Sequence, residues 1–166
     1  MEKVLIEIEM ENGDVMKGEL YPEVAPITVE NFLKLIDEDF FAGLIFHRVI
    51  PGFMIQGGGY TKDFKEKHCD SIKGEFKSNG VNNELKHTEG VLSMARTMIK
   101  DSASSQFFIM HKDNTSLDGM YAGFGKVIEG MDVVDKIANT EVTYKSADLQ
   151  DGEEAPKDEN GKKLTA

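Results

Sequence analysis

The chain has 166 residues, a formal net charge of −11, 40% hydrophobic and 30% charged residues, and a single cysteine. This length and composition predict one soluble globular domain with a substantial core. The acidic balance, without a cluster of Lys and Arg, argues against a nucleic-acid partner, and no apolar run approaches the ~20 residues of a membrane span. We therefore expect no nucleic-acid partner, no membrane partner, no internal disulfide and a cytoplasmic location.

The first part of the chain predicts a hairpin followed by a helix. Apolar residues recur at every second position over residues 4–10, as in a strand with one buried face, and Asn12-Gly13 predicts the turn to a return strand over residues 15–20. Thr28 is the expected N-cap of the helix that follows. Apolar residues at helical spacing predict the helix itself, and they are Val29, Phe32, Leu33, Ile36 and Phe40.

The central stretch contains two short apolar runs, residues 44–50 and 53–56, on either side of Pro51-Gly52. They predict two strands around a tight connection. The runs also contain Arg48 and Gln56 among Phe and Met, and Arg is almost never fully buried without a partner. The sequence therefore places a fixed cation beside an apolar patch.

Strand geometry predicts which of these side chains share a face. Successive side chains alternate, so Phe46, Arg48 and Ile50 are expected on one face of the first strand. Met54 and Gln56 share a face of the second strand for the same reason.

The rest of the chain predicts short strands and one more helix. Strand pieces are expected around residues 72–76, and strands over 91–96, 106–110 and 123–128. A second short helix is marked by Met131, Val134, Ile137 and Ala138. Many short strands with two helices favour a β-barrel or sandwich whose ends the helices close.

Residues 46–58 read Phe-His-Arg-Val-Ile-Pro-Gly-Phe-Met-Ile-Gln-Gly-Gly, which resembles the signature of the cyclophilins, the peptidyl-prolyl cis-trans isomerases. The resemblance continues in the family's order with Leu-Ser-Met-Ala-Arg at 92–96, Ser-Ser-Gln-Phe-Phe-Ile at 104–109, Leu-Asp-Gly at 117–119 and Phe-Gly-Lys-Val at 124–127. The compact loop after Gly59 is similar to that of the bacterial branch.

The resemblance implies a mainly β fold, an eight-stranded antiparallel β-barrel capped by two α-helices. It also implies a cyclophilin-like isomerase domain over residues 1–145. Residues 146–166 are an acidic stretch with almost nothing apolar, expected to be a flexible tail. The family's closing strand has no evident counterpart in that stretch.

The function that the resemblance implies is rotation about X–Pro peptide bonds in unfolded or flexible polypeptides, which assists folding. The barrier to such rotation is ~18–20 kcal/mol because the C–N bond has partial double-bond character. A donor that bonds the prolyl nitrogen only in the twisted transition state accelerates the exchange. Arg48 suits this role because its guanidinium stays charged and carries a rigid fork of donors. Neither a cofactor nor a metal is required, and we expect a monomer whose partners are proline-containing segments of client proteins.

The resemblance also assigns the binding residues. The proline slot is implied to be lined by Phe53, Met54, Phe108 and Leu117, with Phe46 behind it. Gln56 and Gln106 would bind the substrate backbone, and Ala95 and Arg96 would form the edge that pairs with the substrate main chain.

Two positions depart from the best-known eukaryotic pattern. Tyr121 stands where a histidine lines the proline pocket, and it still offers an aromatic wall. Ser116 stands where a tryptophan helps to bind cyclosporin, so the indole contact and its donor are lost. We expect a cyclosporin-type ligand to bind only weakly.

Other functions stay open at this point. A non-catalytic proline-peptide binding or holdase module would keep the groove but would not need Arg48. A hydrolase is a distant alternative, because Ser104 and Ser105 lack the neighbours of a nucleophile elbow. His68 beside Cys69 is too small a set for a tetrahedral metal site, and Gly57-Gly58-Gly59 indicates close backbone packing rather than a phosphate cradle.

Overall fold

The computed structural model describes residues 4–140, which form nine β-strands and two α-helices. The strands are β1 Val4–Glu9, β2 Val15–Leu20, β3 Leu44–Ile45, β4 Arg48–Ile50, β5 Met54–Gly57, β6 Tyr60–Thr61, β7 Val91–Met94, β8 Phe107–Met110 and β9 Gly123–Glu129. The helices are α1 Pro26–Asp37 and α2 Met131–Ala138. The acidic tail at 146–166 and the domain boundary before it lie outside the described residues.

Seven antiparallel strands form one sheet in the order β1-β2-β9-β7-β8-β5-β4, and β3 pairs with β6 in a separate two-stranded sheet. The prediction of a mainly β protein with two helices is therefore confirmed. Within residues 4–140 the large sheet is open, with β1 and β4 as its edges, so the closed eight-stranded barrel stays a prediction. A groove of about 770 Å³ runs along β1 and is lined also by residues of α1 and of the chain around β3.

The large sheet separates two clusters of apolar side chains. The main core includes Val49, Ile55, Phe107 and Ile109, which alternate with the residues of the other face. A smaller cluster on that other face contains Met54, Phe108 and Met110, with Phe53, Leu117 and Tyr121 packed against it. The predicted alternation of strands β4, β5 and β8 is thus confirmed.

Helix α1 begins differently from the prediction. Pro26 occupies its first turn, Ala25 is the N-cap, and no side chain of the N-cap residue bonds the helix. Thr28 lies inside the first turn and donates its backbone N–H and its hydroxyl to Oε1 of the buried Glu75. The N-cap assignment of Thr28 is wrong, because its hydroxyl bonds a carboxylate 47 residues away and not a backbone N–H of the first turn. The same carboxylate accepts from the N–H of Thr28, one of the orphan donors of the helix terminus.

Two predicted strands also change. The apolar run at 44–50 is not one strand, since β3 ends at Ile45 and β4 begins at Arg48. Residues 72–76 form no strand, and a 3-10 turn follows at Lys77–Asn79.

The hairpin at Asn12-Gly13 is confirmed, with Gly13 at a φ of +93° between β1 and β2. Within residues 4–140, neither helix is long and apolar enough to cross a membrane.

Candidate active site

A row of four side chains crosses four neighbouring strands on the face opposite the main core. Arg48 of β4 lies directly opposite Gln56 of β5, Gln56 lies opposite Phe108 of β8, and Phe108 lies opposite Ser93 of β7. Adjacent strands are ~4.8 Å apart, and directly opposed residues point to the same side of a sheet. Backbone pairing alone therefore places a cation, an amide and an aromatic ring side by side.

Beside this row lies a recess of about 140 Å³. Pockets that hold a whole drug-sized ligand measure about 300–1,000 Å³, so this recess fits one small side chain or ring of a larger ligand. Six of its nine lining residues are apolar or aromatic, and the other three are two arginines and a glutamine. The lining residues are Arg48, Phe53, Met54, Gln56, Ala95, Arg96, Phe108, Leu117 and Tyr121.

Arg48 enters the recess with bonding capacity to spare. Its Nη1 donates to Oε1 of Gln56 over a long 3.5 Å, and Nε2 of Gln56 donates to Oε1 of Gln106 at 3.0 Å. The Nε atom of Arg48 is buried and has no hydrogen-bond partner. Within residues 4–140, no carboxylate forms an ion pair with this guanidinium. The arrangement holds a cation by one weak contact and leaves its other donors for a ligand.

The structure brings together all but two of the residues that the sequence assigned to the site. Gln106 does not line the recess itself but contacts it through its hydrogen bond to Gln56. Phe46 is not in the recess, since its ring packs edge-on against Phe107 at 6.0 Å and lines the groove along β1. The predicted face of Phe46 is wrong because the break between β3 and β4 interrupts the strand alternation just before Arg48.

Arg96 also lines the recess. Its guanidinium lies between the rings of Phe76 and Tyr121, 4.6 and 4.8 Å from their centroids. The Nε and Nη2 atoms donate to the carbonyl of Met120, and Nη1 donates to that of Thr97. The Arg96 side chain is therefore occupied in holding two loops together, unlike that of Arg48.

A buried polar group behind Phe108 was not found from the sequence. His87 is fully buried, with Nδ1 3.0 Å from Oδ1 of Asp118 and Nε2 2.8 Å from the hydroxyl of Ser93. The His87 ring stacks on Phe108 with centroids 6.0 Å apart. Burial lowers the pKa of His87 below its usual 6.5, and the nearby Asp118 carboxylate opposes this effect. The signal available in the sequence was Ser93, a polar residue at an otherwise apolar strand position.

These contacts bear on the alternatives. Ser93, His87 and Asp118 are hydrogen-bonded in the sequence Ser–His–Asp that a hydrolase triad uses. Ser93 is fully buried, however, and lines neither the recess nor the groove along β1. Burial also raises the pKa of the Cys69 thiol, which disfavours the thiolate that a metal binds. Within residues 4–140, no group of three or more His, Cys, Asp and Glu side chains could hold a metal ion.

The glycines after β5 fit close packing. A Cβ on Gly58 would lie 2.6 Å from the carbonyl oxygen of Ser105, and Gly58 has a φ of +88°. A Cβ on Gly59 would lie 2.5 Å from the side chain of Gln106. The glycines therefore let the chain pass close to the β8 strand and to the amide of Gln106, as the sequence predicted.

The fold and the recess together define a mainly β protein with a small recess in which aromatic side chains lie beside the guanidinium of Arg48. A family model described as cyclophilin-type peptidyl-prolyl cis-trans isomerase matches residues 5–158. The peptidyl-prolyl cis-trans isomerase of Acinetobacter baylyi is 50% identical over 141 residues, which cover 81% of this chain and 72% of the relative. Peptidyl-prolyl cis-trans isomerase B of Escherichia coli is 44% identical over 142 residues, 80% of this chain and 83% of the relative.

Solved structures agree. A cyclophilin-type peptidyl-prolyl cis-trans isomerase of Cryptosporidium parvum matches with a TM-score of 0.70 at 27% identity, over 98% of this chain and 91% of that one. This chain belongs to the cyclophilin-type peptidyl-prolyl cis-trans isomerase family. It is an enzyme of that class, with bacterial relatives at 40–50% identity, and its activity is cis-trans isomerisation of peptidyl-prolyl bonds.

Proposed function

We propose that Arg48 is the catalytic residue and that it acts by donating a hydrogen bond to the prolyl nitrogen as the X–Pro bond twists. In the planar amide this nitrogen has no available lone pair, whereas in the twisted amide it becomes pyramidal and accepts a bond. A donor that binds only the twisted form lowers the barrier without tightening ground-state binding. The single observation that carries the proposal is the guanidinium of Arg48 at the recess, which makes one long bond of 3.5 Å to Gln56 and no ion pair among the described residues.

The cost of burying an unpaired donor favours a catalytic role for Arg48 over a structural one. A buried donor without an acceptor costs about 1–3 kcal/mol, and a structural arginine would recover that cost with a carboxylate or carbonyl. Gln56 holds the guanidinium in place through Nη1 without neutralising its charge. The site is thus preorganised for charge that develops during rotation.

The substrate is proposed to lie with its proline ring in the recess. Met54 and Phe108 are almost fully buried and form its floor, while Phe53, Leu117 and Tyr121 supply the walls. Gln56 and Gln106 are linked to each other and present amide groups that suit the backbone of an extended peptide. The ligands are then proline-containing segments of client chains, and assistance to folding follows because uncatalysed X–Pro exchange takes tens of seconds or longer.

The test is exchange spectroscopy on an X–Pro peptide with wild type, Arg48→Ala and Arg48→Lys. Removing one preorganised donor of this kind typically costs about 100- to 1,000-fold in kcat, and we expect a loss of that order for Arg48→Ala. Arg48→Lys keeps a positive charge but loses the planar fork, and it should stay well below wild type. Exchange that survives Arg48→Ala would refute the role of Arg48.

The same samples separate the enzyme from a holdase module. Peptide titration followed by chemical shifts gives Kd, and we expect Arg48→Ala to bind the peptide while no longer accelerating its exchange. Wild-type protein that binds the peptide without speeding exchange would support the binding module instead.

A further inference from the structure

Next to Arg96, three large apolar side chains lie exposed. Met98 is 95% exposed, Ile99 69% and Met120 44%. A single exposed apolar residue is ordinary in a soluble protein, but these three are joined at one place, because the Arg96 guanidinium bonds the backbone carbonyls of Met120 and Thr97. We call Met98, Ile99 and Met120 the apolar rim.

The loop that carries Met98 and Ile99 is held in one shape by its own polar groups. The Ser102 hydroxyl accepts from the backbone N–H of Thr97 and from its hydroxyl, at 2.9 and 2.8 Å, and donates to the carbonyl of Ile99 at 2.6 Å. The Thr97 oxygen in turn accepts from the N–H of Ile99. The Ser102 hydroxyl has its donor and both of its acceptor positions used, so the loop presents the two side chains at a fixed position.

The far side of the loop is anchored to the segment that follows Ile72. The Asp101 carboxylate accepts from the N–H of Gly74 and from Nδ2 of Asn79, and Nζ of Lys100 donates to the carbonyl of Ser78. The bonds from Gly74 and Asn79 lower the pKa of Asp101 below its usual value. The loop therefore cannot fold Met98 and Ile99 inward without breaking bonds at both ends.

The rim continues the recess. Ala95 and Arg96 line the recess, and consecutive Cα atoms are 3.8 Å apart, so the Cα of Ile99 lies at most ~11 Å from that of Arg96. An extended peptide advances ~3.3–3.6 Å per residue, so a chain with its proline in the recess reaches the rim within about three residues. Met side chains also adapt to varied apolar partners.

We infer that the apolar rim is a second binding surface of the same substrate site and selects client segments that carry large apolar residues two or three positions from the X–Pro bond. The inference rests on the proposed function, since it takes the peptide to lie in the recess. It names the substrate class: X–Pro bonds within apolar stretches of unfolded chains, in preference to X–Pro bonds in polar linkers.

The experiment compares two peptides around an Ala–Pro bond, one with Leu and one with Ser at the second and third positions on each side. Exchange spectroscopy gives kcat/KM for wild type, for Met98→Ser/Ile99→Ser and for the matched control Leu5→Ser/Ile128→Ser. Leu5 and Ile128 are 68% and 51% exposed and lie outside the recess lining. We expect kcat/KM for the Leu peptide to exceed that for the Ser peptide about tenfold in wild type and in the control. In the rim variant this ratio should fall to about onefold to twofold.

The outcomes are distinct from those of the Arg48 test. An unchanged preference in the rim variant, or an equal loss on both peptides, overturns the inference and leaves the role of Arg48 standing. If wild type accelerates neither peptide, the proposed function fails. The inference about the apolar rim is then tested by comparing the Kd values of the two peptides, measured by chemical-shift titration. A preference in Kd that the rim variant removes supports the inference, and equal Kd values in wild type overturn it.

Discussion

Thr28 donates both its backbone N–H and its hydroxyl to one oxygen of Glu75, at 2.6 and 2.8 Å, and both residues are buried. The carboxylate lies at the N-terminal turn of α1, where the helix dipole favours a negative charge. Helix α1 carries Val29, Phe32 and Leu35 into the core. Glu75 thus fixes the helix to the segment that follows Ile72, which also anchors the loop that carries Met98 and Ile99.

Glu75→Ala should lower the free energy of unfolding by about 2–4 kcal/mol, because two buried donors lose their acceptor. Denaturant unfolding measures the change. Glu75→Gln keeps an acceptor oxygen and should lose less. Glu84 forms an exposed ion pair with Lys77, so Glu84→Ala is the control and should stay within about 0.5 kcal/mol of wild type. A Glu75→Ala protein as stable as this control contradicts the prediction.

Gln56→Glu should reduce kcat about tenfold or more. The introduced carboxylate is nearly isosteric and faces Nη1 of Arg48, so it would form a charge-assisted bond that occupies the guanidinium. Exchange spectroscopy measures the loss, and activity should recover in part when acidification protonates the new carboxyl group. Full activity at neutral pH would show that the free donors of Arg48 are not needed.

His87 should make stability depend on pH. Burial lowers its pKa in the folded protein below 6.5, so the unfolded chain binds a proton first as the pH falls. Its contribution to stability is therefore complete above pH 6.5 and is lost progressively as the pH falls from 6.5 towards the lower folded pKa. Denaturant unfolding between about pH 7.5 and 5.5 measures this slope.

The comparison variants for this slope are His87→Gln and His68→Gln. His87→Gln removes the group and should flatten the slope, although the variant is less stable at every pH. His68 has a side chain that is 78% exposed, and His68→Gln should keep the wild-type slope. An equal slope in wild type and His87→Gln would count against the prediction.

Gly59→Ala should raise KM about threefold to tenfold while changing kcat less. The added Cβ would lie 2.5 Å from Gln106, whose side chain must shift and break its hydrogen bond to Gln56. The control is Gly18→Ala on β2, where the nearest atom to a new Cβ is 3.4 Å away. A KM that does not change in Gly59→Ala would mean that Gln106 does not orient the substrate.

Cyclosporin binding should be weak and should strengthen in Ser116→Trp. Ser116 is exposed in the 3-10 turn Thr115–Leu117, next to the recess residue Leu117, and bonds Asn114. An indole there would add apolar contact and a donor. Calorimetric titration measures both affinities, and nanomolar binding by wild type would contradict the prediction.

The sequence was most informative where one face of a strand is buried. Alternation put Arg48 and Ile50 on one face of their strand and Met54 and Gln56 on one face of the next. The pairing of β4, β5 and β8 then brings Arg48, Gln56 and Phe108 to a common side of the sheet. Alternation holds because both faces of these strands are occupied and a slip of one residue would reverse every side chain.

The sequence was least informative where contacts join distant or irregular segments. Glu75 and Asp118 act across 47 and 31 residues from Thr28 and His87, and no local pattern encodes such pairs. Phe46 was misplaced because strand breaks are set by tertiary packing and not by the apolar run. Tertiary packing also explains why residues 72–76 form no strand, although Ile72 and Phe76 are apolar.

The cross-strand row has a consequence for how this enzyme fails. Its side chains are spaced by the ladder hydrogen bonds of the sheet, but Phe108 lies on the interior strand β8 whereas Arg48 lies on the edge strand β4, which within residues 4–140 pairs with β5 alone. An edge strand with one partner opens at a lower free energy than the whole fold, so on heating we expect turnover to be lost at a lower temperature than global melting.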